Sequence, residues 1–183
     1  MRLLRREDIR KSGSGNIGAT NVWRTYGPRY GVPVMLLDTL KGFVPALLAT
    51  IYVGSLAGVI AGGAAMVGHW RPLFMRFARG GKAVATCGGA FLGVAPLVGG
   101  IGAGVWLVVF ALFRYASLAS ITAALSLPVV AAAIGEPWPV LAFASLAALA
   151  VVVLHRPNIS RLLAGTENRV RLRRSAEPTR HGV

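Results

Sequence analysis

Six stretches of the 183-residue chain are almost free of polar side chains: residues 32–53, 56–67, 83–98, 101–113, 118–134 and 138–154. Only the first clearly reaches the roughly 20 residues that cross about 30 Å of hydrocarbon. The others must borrow flanking residues, tilt little, or sit as short helices. Residues 83–113 would be far too long for a bilayer as one helix rising about 1.5 Å per residue. Pro96, followed by Gly99, Gly100 and Gly102, supplies a turn, so two short spans fit better. The alternative is that some segments are re-entrant or buried without crossing. The pattern predicts an all-α, polytopic integral membrane helix bundle of about six spans.

Composition points the same way, since 55% of the residues are hydrophobic, 14% are charged and the mean hydropathy is +0.61. The net charge of +14 is unevenly placed. With the N-terminal loop inside, six spans put every Lys and Arg except Lys41 on one side, and the loops near Gly54, Gly99 and Glu136 hold none. The positive-inside rule makes that side cytoplasmic. Anionic headgroups suit these tethered cations. No nucleic-acid partner is expected, because aromatic residues are not interleaved with them. Residues 1–12 read as a basic N-terminal segment without the apolar core of a signal peptide, 13–169 as one membrane domain, and 170–183 as a basic flexible tail. Cys87, the single cysteine, reads as a small packing residue. Three His without HxxxH or CxxC spacing imply neither a metal nor any other cofactor.

The polar chemistry is concentrated in three segments on the cationic side. In residues 13–27, GSGNIGATNVWRTYG, Ser14, Asn16, Thr20 and Asn21 offer hydroxyl and amide groups, three glycines let backbone approach an anion, and Arg24 adds a fixed charge. The same residue types also build ordinary tight loops. In residues 68–86, GHWRPLFMRFARGGKAVAT, Gly80 and Gly81 place Lys82 at the start of a membrane helix, where unpaired N–H groups favour a phosphate. It is no nucleotide-binding loop, because Ala83 stands where Ser or Thr is needed. His69 suits a ligand, a proton carrier or a helix cap. In residues 155–169, HRPNISRLLAGTENR, Pro157 opens a short helix that Gly165 stops, His155 and Asn158 are three apart, and Arg161 with Glu167 reads as a structural ion pair.

Within the first span, Asp38 and Lys41 are neighbours on one helical face. An isolated charge near mid-membrane costs at least about 2.5 kcal/mol, so mutual pairing is the simplest reading. The pair also suits bracing of a polar cavity, and a small transporter or channel using Asp38 and Lys41 is the rival reading.

GSGNIGATN, LLDTLKGFVPALLA, GHWRPLFMRFARGGKAVAT and HRPNISRLLAGTE, in this order and on one predicted side, closely resemble the bacterial acyl-phosphate:glycerol-3-phosphate acyltransferases over residues 13–167. The resemblance implies transfer of a fatty acyl group from acyl phosphate, not from acyl-CoA or acyl carrier protein, to the 1-hydroxyl of glycerol 3-phosphate, giving lysophosphatidic acid and phosphate. It places Ser14 and Asn16 at the reacting groups, and Thr20 with the backbone of Gly80 and Gly81 on the acyl phosphate. Arg24, Lys82, Ser117, His155 and Asn158 fall on the glycerol 3-phosphate. It implies no protein base, because the departing phosphate can take the proton. Two departures stand out. The family usually carries one more span ahead of the GSGN loop, which makes this chain a family-like seven-helix bundle lacking its first helix. Ala83 also replaces a family glycine. Its methyl is costly if the backbone needs a glycine-only angle and harmless in a helical first turn.

Overall fold

A computed structural model describes residues 8–78 and 80–170, and among these the secondary structure is helical. All six apolar stretches become helices. In chain order the helices are α1 (Ala19–Tyr26), α2 (Pro28–Tyr52), α3 (Ser55–Trp70), α4 (Val84–Val94), α5 (Pro96–Phe113), α6 (Ala116–Ala133), α7 (Trp138–Leu154) and α8 (Arg156–Leu163). Helices α2, α5 and α6 are long and apolar enough to cross a membrane alone, and α7 joins them if its 60° bend into α8 is counted within one span. At 16 and 11 residues, α3 and α4 are the short helices that the pattern allows.

The break between α4 and α5 falls at Ala95, one residue before Pro96, and Gly99, Gly100 and Gly102 lie inside α5. Proline disfavours a helical residue before it and suits the first helical turn after it, so it sets the break where the glycines do not. Gly99 packs against the backbone of Phe91 and Leu92, which folds α5 back along α4. Helix α4 is 11 residues long and α5 is 18, so the start of α4 stops about 10 Å short of the far end of its partner.

Small residues let the helices approach closely. A Cβ on Gly42 of α2 would lie 2.1 Å from the Thr86 carbonyl, and one on Gly89 of α4 would lie 2.0 Å from the Thr39 carbonyl. In a bilayer, where lipid tails are as apolar as the side chains, such close packing is what holds helices together. Phe91 and Phe143 stack with centroids 4.8 Å apart at the centre of the buried cluster.

The polar helices α1 and α8 sit at one end of the bundle with the ends of two connecting segments. Residues 9–11 form a short turn in which Asp8 Oδ1 accepts from the Arg10 amide at 3.1 Å, and Ile9 is buried, so this part of the basic segment is built into the fold. At the other end Val170, which the sequence assigns to the tail, is buried and donates its N–H to the Arg114 carbonyl at 2.9 Å. The strap of residues 165–170 is also fixed by Arg169, whose Nε donates to the Tyr115 hydroxyl at 3.0 Å. The remaining tail, the first seven residues and Arg79 lie outside the described residues.

Candidate active site

The bundle encloses a cavity of about 790 Å³ with two chemical zones. Its mouth is lined by Ser14, Asn16, Thr20, Arg24, Lys82, Ser117, His155 and Asn158, together with Arg161 and Glu167. Below them α4, α5 and α6 contribute an apolar shaft: Gly88 and Leu92, then Ala103, Trp106 and Leu107, then Ala123, Ala124 and Leu127. These residues recur every three or four positions, so each helix turns one stripe toward the space.

The amides of Gly80 and Gly81 are donated to the Trp70 and His69 carbonyls at 2.8 and 3.2 Å. A Cβ on Gly81 would lie 1.8 Å from His69 Nε2. The pair thus clamps the loop onto the end of α3. Lys82, Ala83, Val84 and Ala85 line the cavity at the opening turn of α4, where a helix leaves its first amides without intrahelical partners.

Ala83 caps that turn in a left-handed conformation, φ +56°, and is buried. Of the two expectations for its methyl, the costly one applies, since left-handed backbone strains an L-residue by roughly 1–2 kcal/mol. Ala83→Gly is expected to stabilise the protein by roughly 0.5–1 kcal/mol once glycine's greater unfolded-state freedom is set against this relief. The check is the midpoint of thermal unfolding in detergent. An unchanged or lower midpoint means that the turn is not strained.

In the N-terminal loop Asn21 is 2% exposed and spends its side chain on the loop itself. Its Oδ1 accepts from the Ser14 amide at 2.8 Å, and its Nδ2 donates to the Ser12 and Asn16 carbonyls at 3.0 and 2.8 Å. Asn16 Oδ1 accepts from the Gly18 amide at 2.7 Å, which leaves its Nδ2 group as a donor at the cavity. Gly13, at φ +59°, has no room for a Cβ because Asn21 Oδ1 would lie 2.3 Å away. The loop is thus tied from within, and Ser14 stays exposed at the mouth.

Across the mouth Glu167 joins three partners. Its Oε1 accepts from Ser117 Oγ at 2.8 Å and Asn158 Nδ2 at 2.7 Å, and its Oε2 accepts from Arg161 Nε at 2.7 Å. Asn158 Oδ1 in turn accepts from Lys82 Nζ. Burial would raise the Glu167 pKa, but hydrogen bonds from Asn158, Ser117 and Arg161 and the Arg161 charge hold it below the ordinary carboxylate value. Arg24 Nη2 reaches the Asn168 carbonyl at 3.4 Å. Half-burial draws its pKa below the ordinary guanidinium value, Glu167 opposes the shift and Arg161 adds to it, and a guanidinium stays charged throughout.

His155 occupies the corner between α7 and α8. Burial, then the Lys82 charge, push its pKa down to about 4. Its Nδ1 lies 2.8 Å from the Val151 carbonyl, so in the neutral ring Nδ1 carries the hydrogen and Nε2 is the acceptor. The unfolded imidazole titrates near 6.5, so between 6.5 and 4 the unfolded chain binds a proton that the folded one refuses. Stability is therefore expected to fall on acidification through this window, by at most about 1.4 kcal/mol per pH unit. The loss from Glu167, a depressed carboxylate, sets in only at more acid pH. Thermal midpoints against pH check this. An equally steep loss in His155→Gln assigns it to another group.

Comparisons with known proteins identify the family and the fold. The family model described as glycerol-3-phosphate acyltransferase matches residues 1–165. The chain belongs to that family. A glycerol-3-phosphate acyltransferase of Desulforudis audaxviator is 46% identical over 91% of this chain and 84% of its own length. One from Aquifex aeolicus is 45% identical over 91% and 87%. The crystal structure of PlsY, an integral membrane glycerol 3-phosphate acyltransferase, in its glycerol 3-phosphate form superposes with a TM-score of 0.88 at 44% identity, covering 92% of this chain and 85% of that one. Its lysophosphatidic acid form gives 0.83, covering 87% and 82%.

In this glycerol-3-phosphate acyltransferase the ion pair of α2 also adjoins the site. Lys41 Nζ donates to Asp38 Oδ1 at 2.6 Å and contacts His69 Nδ1, while Asp38 and His69 line the cavity. The pairing expected from the sequence gains a third member. Because His69 packs on Gly81, the triad braces the loop that presents Lys82. Neither the hub role of Glu167 nor that of Asn21 is visible in residue spacing, since each depends on where distant segments fold.

Proposed function

We propose that this membrane acyltransferase moves a fatty acyl group from acyl phosphate to the 1-hydroxyl of glycerol 3-phosphate, releasing lysophosphatidic acid and inorganic phosphate. One observation carries the reading: a single cavity joins a cation-lined polar mouth to an apolar shaft, the two surfaces that an acyl phosphate requires together. Acyl phosphate is already activated, so orientation and charge stabilisation are the main work left to the protein.

In this reading the acyl chain lies along α4, α5 and α6. Thr20 and the opening turn of α4 hold its phosphate, and Ser14 and Asn16 face the carbonyl. Arg24, Lys82, Ser117, His155 and Asn158 receive glycerol 3-phosphate. Lys82 and Arg24 offset the repulsion between the two anionic substrates. The hydroxyl oxygen attacks the carbonyl carbon, the bond from that carbon to the phosphate oxygen breaks, and the departing phosphate takes the hydroxyl proton. An imidazole pushed down to about 4 is a weak base, so His155 fits the task of accepting and aiming the hydroxyl through Nε2. The mouth faces the cytoplasm from a bacterial inner membrane, as the cation distribution favours.

The test supplies purified protein with palmitoyl phosphate and labelled glycerol 3-phosphate, then repeats the assay with palmitoyl-CoA. Lysophosphatidic acid is expected from the first donor alone. Product from the thioester only, or from neither donor, overturns the reading.

A further inference from the structure

The apolar lining ends at a similar depth on three helices, at Leu92 on α4, at Gly99 on α5 and at Leu127 on α6. From Lys82 to Leu92, and again from Ser117 to Leu127, a helix advances about 15 Å at about 1.5 Å per residue. From Phe110 down to Gly99 the third wall covers about 16 Å. About one turn below Ser117, Trp106 Nε1 donates to Ser120 Oγ at 3.1 Å and ties α5 to α6. At the bottom Leu127 reaches across to α5, with its Cδ2 2.7 Å from where a Cβ on Gly102 would lie.

We propose that Leu127, seated against Gly102, is the residue that sets acyl-chain length in this enzyme. The inference rests on the acyl-transfer reading above. An extended alkyl chain advances about 1.25 Å per carbon, so the shaft encloses about 12 carbons before the chain meets Leu127. Each further methylene must bend or leave the enclosure. Leu127 is buried and faces the cavity, so shortening it deepens the shaft. Ala123 stands one turn closer to the mouth on the same stripe, so enlarging it shortens the shaft.

The experiment measures kcat/KM for a ladder of saturated acyl phosphates, decanoyl to stearoyl, with wild type, Leu127→Ala and Ala123→Leu. Wild-type turnover should fall beyond the length that reaches the floor. Leu127→Ala should move that fall to chains about two carbons longer and raise the palmitoyl-to-lauroyl ratio. Ala123→Leu should move it to shorter chains and lower the ratio. It carries the test alone should the α6 truncation fail to fold. Active variants with the wild-type profile overturn the role of Leu127. A wild type that uses no acyl phosphate of any length overturns the acyl-transfer reading instead.

Discussion

Replacing Lys82 by alanine is expected to lower acyl transfer by about a hundredfold to a thousandfold while leaving insertion and the thermal midpoint close to those of the wild type. The ammonium group sits at the opening turn of α4, donates to Asn158 Oδ1 and lines the cavity. Both proposed substrates bring phosphate charge to the same space. Without Lys82 they repel each other across a mouth left with Arg24 and Arg161, each of which already has an acceptor in the strap. The helix amides remain, so binding of one substrate survives better than transfer between two. The measurement is lysophosphatidic acid formation by purified, monodisperse variant. Turnover near the wild-type rate removes Lys82 from the site.

Glu167→Ala is expected to act on the other substrate. Ser117, Asn158 and Arg161 all lose their common acceptor, and Asn158 then has Lys82 as its remaining partner in the hub. Three donors freed to rotate at the mouth should raise KM for glycerol 3-phosphate by about tenfold or more, since a charge-assisted hydrogen bond contributes about 1.5–3 kcal/mol. The KM for acyl phosphate should change much less. Glu167→Gln, which keeps one acceptor oxygen, should fall between. An unchanged KM for glycerol 3-phosphate in the alanine variant, or equal rises for both substrates, refutes this division of labour.

The two outcomes draw on features of very different legibility. Ser117 enters only through the family resemblance, whereas Lys82, Arg24 and Ser14 are visible in the sequence because a cation or hydroxyl beside a membrane helix is conspicuous against apolar surroundings. Charge placement alone puts them at one end of the bundle. The pairing of Asp38 with Lys41 is equally visible, because i,i+3 spacing is a local property of a helix. Glu167 is not visible as a hub, since Ser117 lies 50 positions away and the strap that delivers it has no periodic pattern. The packing of Gly81 on the His69 ring is hidden for a related reason, since glycine marks close approach without naming what approaches. The break before α5 depends on Pro96, with glycines beyond it that a tightly packed helix keeps for contact.

The junction of a polar mouth and an apolar shaft in one cavity bears on how reactants from two phases meet. Lifting an acyl chain of about 12 methylenes out of hydrocarbon to a site at the water surface would cost about 10 kcal/mol, at about 0.8 kcal/mol for each methylene. A shaft lined by α4, α5 and α6 keeps the chain among apolar side chains, and a small, well-hydrated phosphate comes to it along positively charged walls. Partitioning that no side chain at the reacting carbon supplies is thus built into the lining of three helices.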